Sequence, residues 1–317
     1  MNHKTLFRIL TAVSLFLAAL PGRLNADSEI RSSLGLTLQM STQPGAKLGI
    51  TQNFIFPLLQ GDGPLTGDNN LSLALTAEVS PVSVNGIAEA VFTPIAFLQA
   101  VAGTRLGSGW NITIFGNDVY GMGINRRNAL TQKPEVDGDP FEGLLWSAYG
   151  GGVFQFDLAA LVPGDWNHVV FRTYHEARYK GNTAASSGDS WYFEDDDGQN
   201  RNGLNYYGSY LLGYRMPIFL NTVGFMAEME LYLYNTPHRR NWGDDLGRWT
   251  FGPLFNFTVT KNFSAALVVQ LRTRRSYTEG REDDLAGDVF YQDRHLKTDA
   301  PYLTFYRAAV ILSYKLR

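Results

Sequence analysis

The chain has 317 residues, 44% of them hydrophobic and 18% charged, a balance that favours a folded protein over a disordered one. The formal net charge of −3 gives no electrostatic reason to expect a nucleic-acid partner. No apolar run approaches the ~18 residues that a membrane-spanning helix requires, which argues against a helical membrane protein.

The N-terminus has the three parts of a secretory signal peptide. Lys4 and Arg8 give a basic leader, ILTAVSLFLAAL is a short apolar block, and PGRLNA ends in the small residue Ala26. We therefore expect residues 1–26 to be removed and residues 27–317 to form the mature protein. The chain has no cysteine, whereas secreted eukaryotic proteins of this size usually carry disulfides, so a bacterial envelope protein is favoured.

Apolar and polar residues alternate through most of the mature chain with the period of two that marks β-strands. In the stretch 221–235, Val223, Phe225 and their odd-numbered companions are apolar, and Glu228 and Glu230 have the opposite parity. The pattern predicts an all-β chain of about twelve strands, with ten to fourteen open: 32–41, 47–57, 70–80, 85–93, 96–114, 143–158, 167–179, 204–215, 221–234, 247–259, 263–275 and 301–316.

The connections alternate in length when they are counted back from the C-terminus. Short turns are expected near 162–166, 216–220 and 260–262, and long polar loops near 115–142, 180–203, 235–246 and 276–300. Short turns at one end and long external loops at the other are typical of a transmembrane, antiparallel, up-and-down β-barrel in a bacterial outer membrane.

Three segments fit this scheme poorly. Residues 58–70 are long for the short-turn side, and Pro253 cannot donate to a ladder, so it requires a bulge or a different strand boundary. Residues 94–115 form either one long strand or two short strands joined at GTRLGSG.

The two faces of the strands differ in chemistry. The apolar face would contact lipid, with Tyr302 and Tyr306 in an aromatic girdle at one end of the last strand and Tyr314 at the other. The opposite face would line a lumen and carries six acids and nine bases: Glu78, Glu89, Arg105, Asp157, Arg172, Glu176, Arg178, Arg215, Glu228, Glu230, Arg248, Arg272, Arg274, Arg307 and Lys315. A soluble sandwich with its charges in water is the alternative, but the alternating connections have no reason to exist in it.

The final strand, YRAAVILSYKLR, resembles the C-terminal targeting strand of Gram-negative outer-membrane barrels, which the barrel-insertion machinery recognises. Those strands usually end in an aromatic residue, whereas this chain ends in Arg317 with Tyr314 as the nearest aromatic. This ending, together with the cleavage site, looks like a spirochaete version of the class. The resemblance implies barrel architecture and an outer-membrane location, and it implies no particular substrate.

The sequence contains no convincing catalytic or metal motif, and no cofactor is indicated. An outer-membrane phospholipase would place His175 and a serine together on the lipid-facing wall, but no serine follows His175 two residues later. Asp195, Asp196 and Asp197 are weak calcium candidates, because their spacing fails the EF-hand pattern.

The inner-face charges are the best functional candidates. We expect a porin-like channel, or an uptake route for small polar or anionic solutes, in which the arginines favour anions. A second hypothesis is a surface structural or adhesion protein with a plugged barrel, whose external loops bind host or envelope ligands. A lipid-active enzyme is the third. Outer-membrane lipid would be a partner in each case.

Overall fold

The computed structural model describes residues 30–42, 45–114, 116–127, 130, 134–186, 189–194, 198–233, 246–274 and 302–316. The predicted signal peptide lies outside these residues. The described strands are β1 Arg31–Ser41, β2 Gly45–Pro57, β3 Asn70–Ser80, β4 Ser83–Ile95, β5 Leu98–Gly109, β6 Asn111–Ile114, β7 Asn117–Tyr120, β8 Met122–Arg127, β9 Pro134–Asp137, β10 Leu145–Asp157, β11 His168–Asn182, β12 Trp191–Phe193, β13 Gly203–Arg215, β14 Leu220–Tyr232, β15 Arg248–Thr258, β16 Phe263–Arg274 and β17 Tyr302–Lys315.

Twelve of these strands form one closed barrel, in the order β1-β17-β16-β15-β14-β13-β11-β10-β5-β4-β3-β2. Every neighbouring pair is antiparallel, and the first and last strands close the ladder with Gly35 opposite Lys315. Each of the twelve predicted strands overlaps one barrel strand. The prediction of an all-β, up-and-down barrel of about twelve strands is therefore confirmed.

The connections divide the barrel into two ends. At the short-turn end, where β1 begins and β17 ends, the links include residues 96–97, 216–219 and 259–262. Residues 58–69 also lie at this end, as the sequence predicted, and a short 3₁₀ turn, Leu158–Ala160, follows β10. The strands joined by the connections 110–144, 183–202, 233–247 and 275–301 meet these connections at the long-loop end, as do the strands joined by the short links 42–44 and 81–82.

The outward face of the barrel strands exposes large apolar side chains. Leu75 is 54% exposed, Phe225 51% and Leu212 57%. Leu75 and Phe225 lie on the face predicted to be apolar, and Leu212 pairs with Phe225 and therefore shares that face. An apolar surface of this kind is stable against hydrocarbon and unfavourable against water.

Two of the difficult segments resolve differently from the prediction. The strand predicted over 96–114 ends at Gly109, and GTRLGSG lies inside β5 rather than between two strands. Pro253 needs neither a bulge nor a new boundary: it pairs with Phe225 of β14, and the pairing of β15 with β16 lapses at Gly252 and Pro253 without a change of register. A missing donor is thus accommodated on one side of the strand only.

A β-bulge in β17 overturns part of the predicted aromatic girdle. Gln270 pairs with Arg307, but the next residue, Leu271, pairs with Phe305, so Tyr306 is the extra residue. The extra residue reverses the parity beyond it. Tyr306 lies against the inner-face arginines and Tyr302 pairs with Arg274, so the prediction that both face lipid is wrong.

The remaining strands lie in the two longest described connections. β6 and β7 form a hairpin, and β12, β8 and β9 form a three-stranded sheet. This sheet has a small apolar core of Met122, Ile124, Leu145, Trp191 and Phe193. Within the residues that the structure describes, no helix has the length and hydropathy needed to cross a membrane.

Candidate functional site: the charged lumen

One carboxylate on the loop between β11 and β13 reaches the inner wall formed by β2 to β5. Glu194 accepts hydrogen bonds from Lys47 Nζ at 2.7 Å, Arg105 Nη2 at 2.8 Å, Ser83 Oγ at 2.8 Å and Asn85 Nδ2 at 2.5 Å. We call this set the Glu194 tether. Glu78 lies beside it, 3.6 Å from both cationic groups.

The backbone and the charge state of Glu194 both depend on this tether. Its φ of 53° lies in the left-handed region, which costs a non-glycine residue about 1–2 kcal/mol. Burial alone would raise the pKa of the Glu194 carboxyl, but the charges of Arg105 and Lys47, with hydrogen bonds from Lys47 and Ser83, outweigh burial and lower the pKa to about 2. The group is therefore ionised at neutral pH, and its four donors hold a conformation that the isolated loop would avoid.

The same loop is also fixed to the wall from which it starts. Asn200 accepts a hydrogen bond from Lys180 of β11 at 2.9 Å, and the fully buried Arg201 stacks on Tyr232 of β14 at 4.0 Å. On the far side, the Arg105 guanidinium lies 5.4 Å from the ring centroid of Phe193. The loop therefore crosses part of the lumen mouth at the long-loop end, from β11–β14 to β2–β5.

A belt of paired polar side chains follows the inner wall below the loop. Tyr149 donates to Glu89 at 2.8 Å, Arg178 binds Glu176 at 2.5 Å, and the Arg178 guanidinium lies between the rings of Tyr149 and Tyr207. Tyr174 donates to Glu176.

The belt continues beyond Tyr207 to the other side of the barrel. Tyr207 donates to Glu228, whose second oxygen accepts from Gln270 at 3.0 Å, and Gln270 in turn accepts from Arg307 Nε at 2.8 Å. Polar groups buried in a barrel are stable when they satisfy one another in this way.

Glu230 forms a second compensated centre near the loop. Its carboxylate lies 2.7 Å from Lys180 Nζ and 3.1 Å from Arg248 Nη2, and it accepts from Asn205 at 2.9 Å. At the short-turn end, Asp157 similarly lies 2.7 Å from His168 Nδ1 and 3.3 Å from Arg215 Nη2.

The wall of β16 and β17 has a different character, and we call it the arginine wall. Nε of Arg272 donates to Thr250 at 3.1 Å, and Nε of Arg274 to Thr304 at 3.3 Å. The Arg272 guanidinium lies 3.3 Å from the ring centroid of Tyr306, and that of Arg307 lies 5.0 Å from it. Among the described residues Arg307 has no ion-pair partner.

Two recesses open along the wall that runs from β1 to β11. The first has a volume of about 230 Å³ and is lined by Glu89, Gln99, Tyr149, Arg172, Tyr174 and the Glu176–Arg178 pair, with Val91 and Val101. The second, of about 330 Å³, shares Glu89 and Tyr149 with it and is lined mainly by threonines and Glu78. Within the described part of the chain, Arg172 forms neither a hydrogen bond nor an ion pair.

The structure thus places the eleven sequence-predicted candidates on one continuous inner face, in several separate groups rather than one cluster. Arg105 belongs to the Glu194 tether; Glu176, Arg178 and Glu228 to the belt; Glu230 and Arg248 to the second centre; and Arg215 to the short-turn end. Arg272, Arg274 and Arg307 form the arginine wall, and Arg172 lines the first recess.

Sequence reasoning missed three central residues. Lys180 lies one residue beyond the predicted strand 167–179, whereas Lys47 is the first residue of the predicted strand 47–57 and was not included among the inner-face charges. Glu194 lies in a loop whose acids were read as solvated, and its partner Ser83 is 111 positions away in the chain. Parity extended by one residue would have found Lys180, whereas no local signal identifies Glu194.

The other predicted candidates lie outside the described residues or away from the lumen. Asp195, Asp196 and Asp197 lie outside the described residues. No three acidic or histidine side chains in the described segments are close enough to hold a metal ion. His175 lies on the outer face, where Nδ1 contacts the Tyr206 hydroxyl at 2.6 Å and the ring packs on Tyr210, so its described partners belong to an aromatic cluster rather than to a serine.

No protein-family model and no curated protein sequence matches the chain. Similar solved structures include a NanC porin, 7% identical with a TM-score of 0.42 over 90% of this chain and 100% of that chain. A KdgM porin in complex with disordered oligogalacturonate is 12% identical, with a TM-score of 0.37 over 90% and 100%. The anion-selective porin from Comamonas acidovorans is 7% identical, with a TM-score of 0.28 over 91% and 100%. At these identities the likeness is one of barrel architecture alone.

Proposed function

We propose that this protein is an outer-membrane channel for the passive passage of small polar solutes, with a preference for anions. A closed barrel satisfies every backbone group internally, and the apolar outer side chains suit hydrocarbon. The periplasm would receive the short-turn end and both chain termini, and the long loops would face outward. Export would use the signal peptide ending at Ala26, followed by the barrel-insertion machinery.

The observation that carries the anion preference is the imbalance of charge on the inner face. Most inner-face carboxylates lie beside lysine or arginine, as at Glu194, Glu230 and Asp157. Arg172 and Arg307 have no carboxylate partner among the described residues, and Glu89 and Glu228 have no lysine or arginine partner there. The imbalance is one of number: the nine bases and six acids predicted on this face are joined by Lys47, Lys180 and Glu194. An excess of cationic groups attracts anions into a water-filled passage and repels cations.

Planar lipid bilayers with a salt gradient test this proposal. Purified protein should give steady single-channel currents and a reversal potential of anion-selective sign. Arg272→Ala combined with Arg274→Ala should move the reversal potential toward cations, whereas Lys261→Ala, in the exposed turn between β15 and β16, should leave it nearly unchanged. A measurable current with an unmoved reversal potential in the first variant would remove these arginines from selectivity.

The second candidate function is a surface interaction protein with a plugged barrel. The observation that favours it is the loop across the lumen mouth, fixed by the Glu194 tether at one wall and by Arg201 and Tyr232 at the other. Its external loops would then bind host or envelope ligands. Electrical silence of a correctly folded barrel, verified by heat-modifiable migration on a gel, would favour this function over the channel.

A further inference from the structure

The first recess contains two charges that the protein itself leaves without an oppositely charged partner. Two carboxylates and two guanidinium groups line it, and one of each, Glu176 and Arg178, bind each other at 2.5 Å. Arg172 has no hydrogen bond or ion pair among the described residues. Glu89 accepts a hydrogen bond only from the neutral Tyr149 hydroxyl within the same part of the chain.

The fold prevents Arg172 and Glu89 from pairing with each other. Glu89 belongs to β4 and Arg172 to β11, and β5 and β10 lie between these strands. Three strand spacings amount to about 14 Å across the wall. Through Gly103 and Tyr149, the register places Glu89 opposite Arg178 rather than Arg172, so the two side chains are also offset along the strands and do not pair directly. Both side chains line the recess of about 230 Å³.

The rest of the lining limits the orientation of a solute. Val91 and Val101 give apolar surface. The Tyr149 hydroxyl donates its hydrogen bond to Glu89, and the Tyr174 hydroxyl donates its hydrogen bond to Glu176. The recess therefore offers one guanidinium and one carboxylate without an oppositely charged partner, and the Gln99 amide is a further polar group in the lining.

We propose that this recess binds small zwitterionic solutes of amino-acid or dipeptide size, with the solute carboxylate on Arg172 and its ammonium group on Glu89. Guanidinium groups bind carboxylates with two parallel hydrogen bonds, and a carboxylate accepts readily from an ammonium group. A simple anion would face Glu89 and Glu176, and a simple cation would face Arg172. A neutral sugar would leave both charges uncompensated. The inference deepens the proposed function, since it rests on solutes reaching the lumen.

Equilibrium binding to the full-length mature barrel in detergent tests the proposal without requiring any current. Glycylglycine is the zwitterionic probe, N-acetylglycine the anion, glycinamide the cation and glucose the neutral solute, each measured by saturation-transfer NMR and titration calorimetry. We expect glycylglycine to bind most tightly. Arg172→Gln and Glu89→Gln should each weaken it about 10–100-fold, as expected for loss of a charge-assisted hydrogen bond.

The two variants should also change preference in opposite directions, which damage to the fold would not produce. Glu89→Gln should favour N-acetylglycine and Arg172→Gln should favour glycinamide, whereas the exposed substitutions Arg31→Gln and Asp165→Asn should change nothing. Heat-modifiable migration on a gel verifies that each variant folds. If Arg172→Gln does not fold, Arg172→Lys replaces it, because lysine keeps the charge but loses the two parallel hydrogen bonds of the guanidinium. Arg172→Lys should weaken glycylglycine binding by less than the glutamine variant would.

Several results would overturn the inference. Equal binding of N-acetylglycine and glycylglycine to the unaltered protein, tightest binding of glucose, or glycylglycine affinity unchanged in Glu89→Gln and Arg172→Lys would each do so. Its failure is separable from that of the proposed function: anion-selective current without dipeptide binding refutes the site alone, and dipeptide binding without current refutes the channel alone.

Discussion

The two sides of the lumen use their cations in different ways. On the wall of β2 to β5, Lys47 and Arg105 converge on Glu194 and hold a loop in place. On the arginine wall, Nε of Arg307 binds the neutral Gln270 oxygen, and Arg307 has no carboxylate partner among the described residues. A cation that binds a carboxylate has its charge compensated and fixes the position of the loop. A cation held by a neutral oxygen keeps an uncompensated charge, which attracts solute anions. Charge count alone therefore does not identify the residues that select ions.

The largest expected effect comes from removing the tether. Glu194→Ala deletes the acceptor of four hydrogen bonds, two of them from cations. A hydrogen bond to a charged group contributes about 1.5–3 kcal/mol, so a loss of about 3 kcal/mol would shift the tethered loop roughly 100-fold toward detachment. We expect a larger single-channel conductance with more frequent switching between levels.

Two further variants isolate the tether from general loop damage. Glu142→Ala, an exposed change in the other long connection, should leave conductance unchanged. Glu194→Gly should behave like Glu194→Ala although glycine relieves the left-handed backbone at φ 53°. Unaltered conductance in both Glu194 variants would show that this loop does not obstruct the passage.

The tether should also respond to acid, but only well below neutral pH. The pKa of Glu194 in the folded protein is lowered from about 4.5 to about 2, so its ionised form stabilises the tethered state above pH 4.5. That contribution falls as the pH drops from 4.5 through 2. Conductance of the unaltered channel should thus stay constant between pH 7 and pH 5 and rise below pH 4.

The acid response has its own control. Glu194→Gln cannot be protonated at this position, so its conductance should already be high at pH 7 and should show no rise in this range. An equal rise in both proteins below pH 4 would show that the response does not come from Glu194.

A smaller effect is expected from a matched pair of charge removals, one on each wall. Lys47→Gln combined with Glu78→Gln should loosen the loop and raise conductance while leaving ion selectivity nearly constant, because the double change removes one cation together with the carboxylate 3.6 Å from it. Arg307→Gln should leave conductance levels similar and shift the reversal potential toward cations. A unit charge at 4 Å in water contributes about 1 kcal/mol, which limits the change in permeability ratio to about fivefold. If instead the Lys47 variant shifted the reversal potential and Arg307→Gln raised the conductance, the roles assigned to the two walls would be wrong.

The barrel could be predicted from sequence because its rule is local. Lipid on one face and water on the other impose a period of two, which is visible in ten residues around Leu75 or Phe225. The features that sequence reasoning missed are non-local. The Tyr306 bulge depends on the pairing of β17 with β16, and Glu194 meets Lys47 from 147 positions away.

The candidate site followed the same division. Parity alone gave the inner-face arginines and glutamates, since every second residue must share a face. Which of these charged side chains bind each other depends on the strand order and on the contacts of a distant loop. No short segment of the sequence predicts either of these. The sequence therefore pointed to the charges but not to the difference between Arg105, which anchors, and Arg307, which does not.

The smallest expected effect concerns the aromatic ring beneath an arginine on each wall. The Arg272 guanidinium lies 3.3 Å from the Tyr306 ring centroid, whereas the Arg105 guanidinium lies 5.4 Å from that of Phe193. Cation–π contacts contribute about 0.5–1 kcal/mol when partly exposed and weaken with distance. Tyr306→Leu should therefore lower the free energy of unfolding in urea by about that amount and, by removing the ring on which the guanidinium packs, disturb selectivity. Phe193→Leu should change selectivity less, because Glu194 still holds Arg105 at 2.8 Å. If Phe193→Leu disturbed selectivity more than Tyr306→Leu, the ring at the tether rather than the carboxylate would be what orients Arg105.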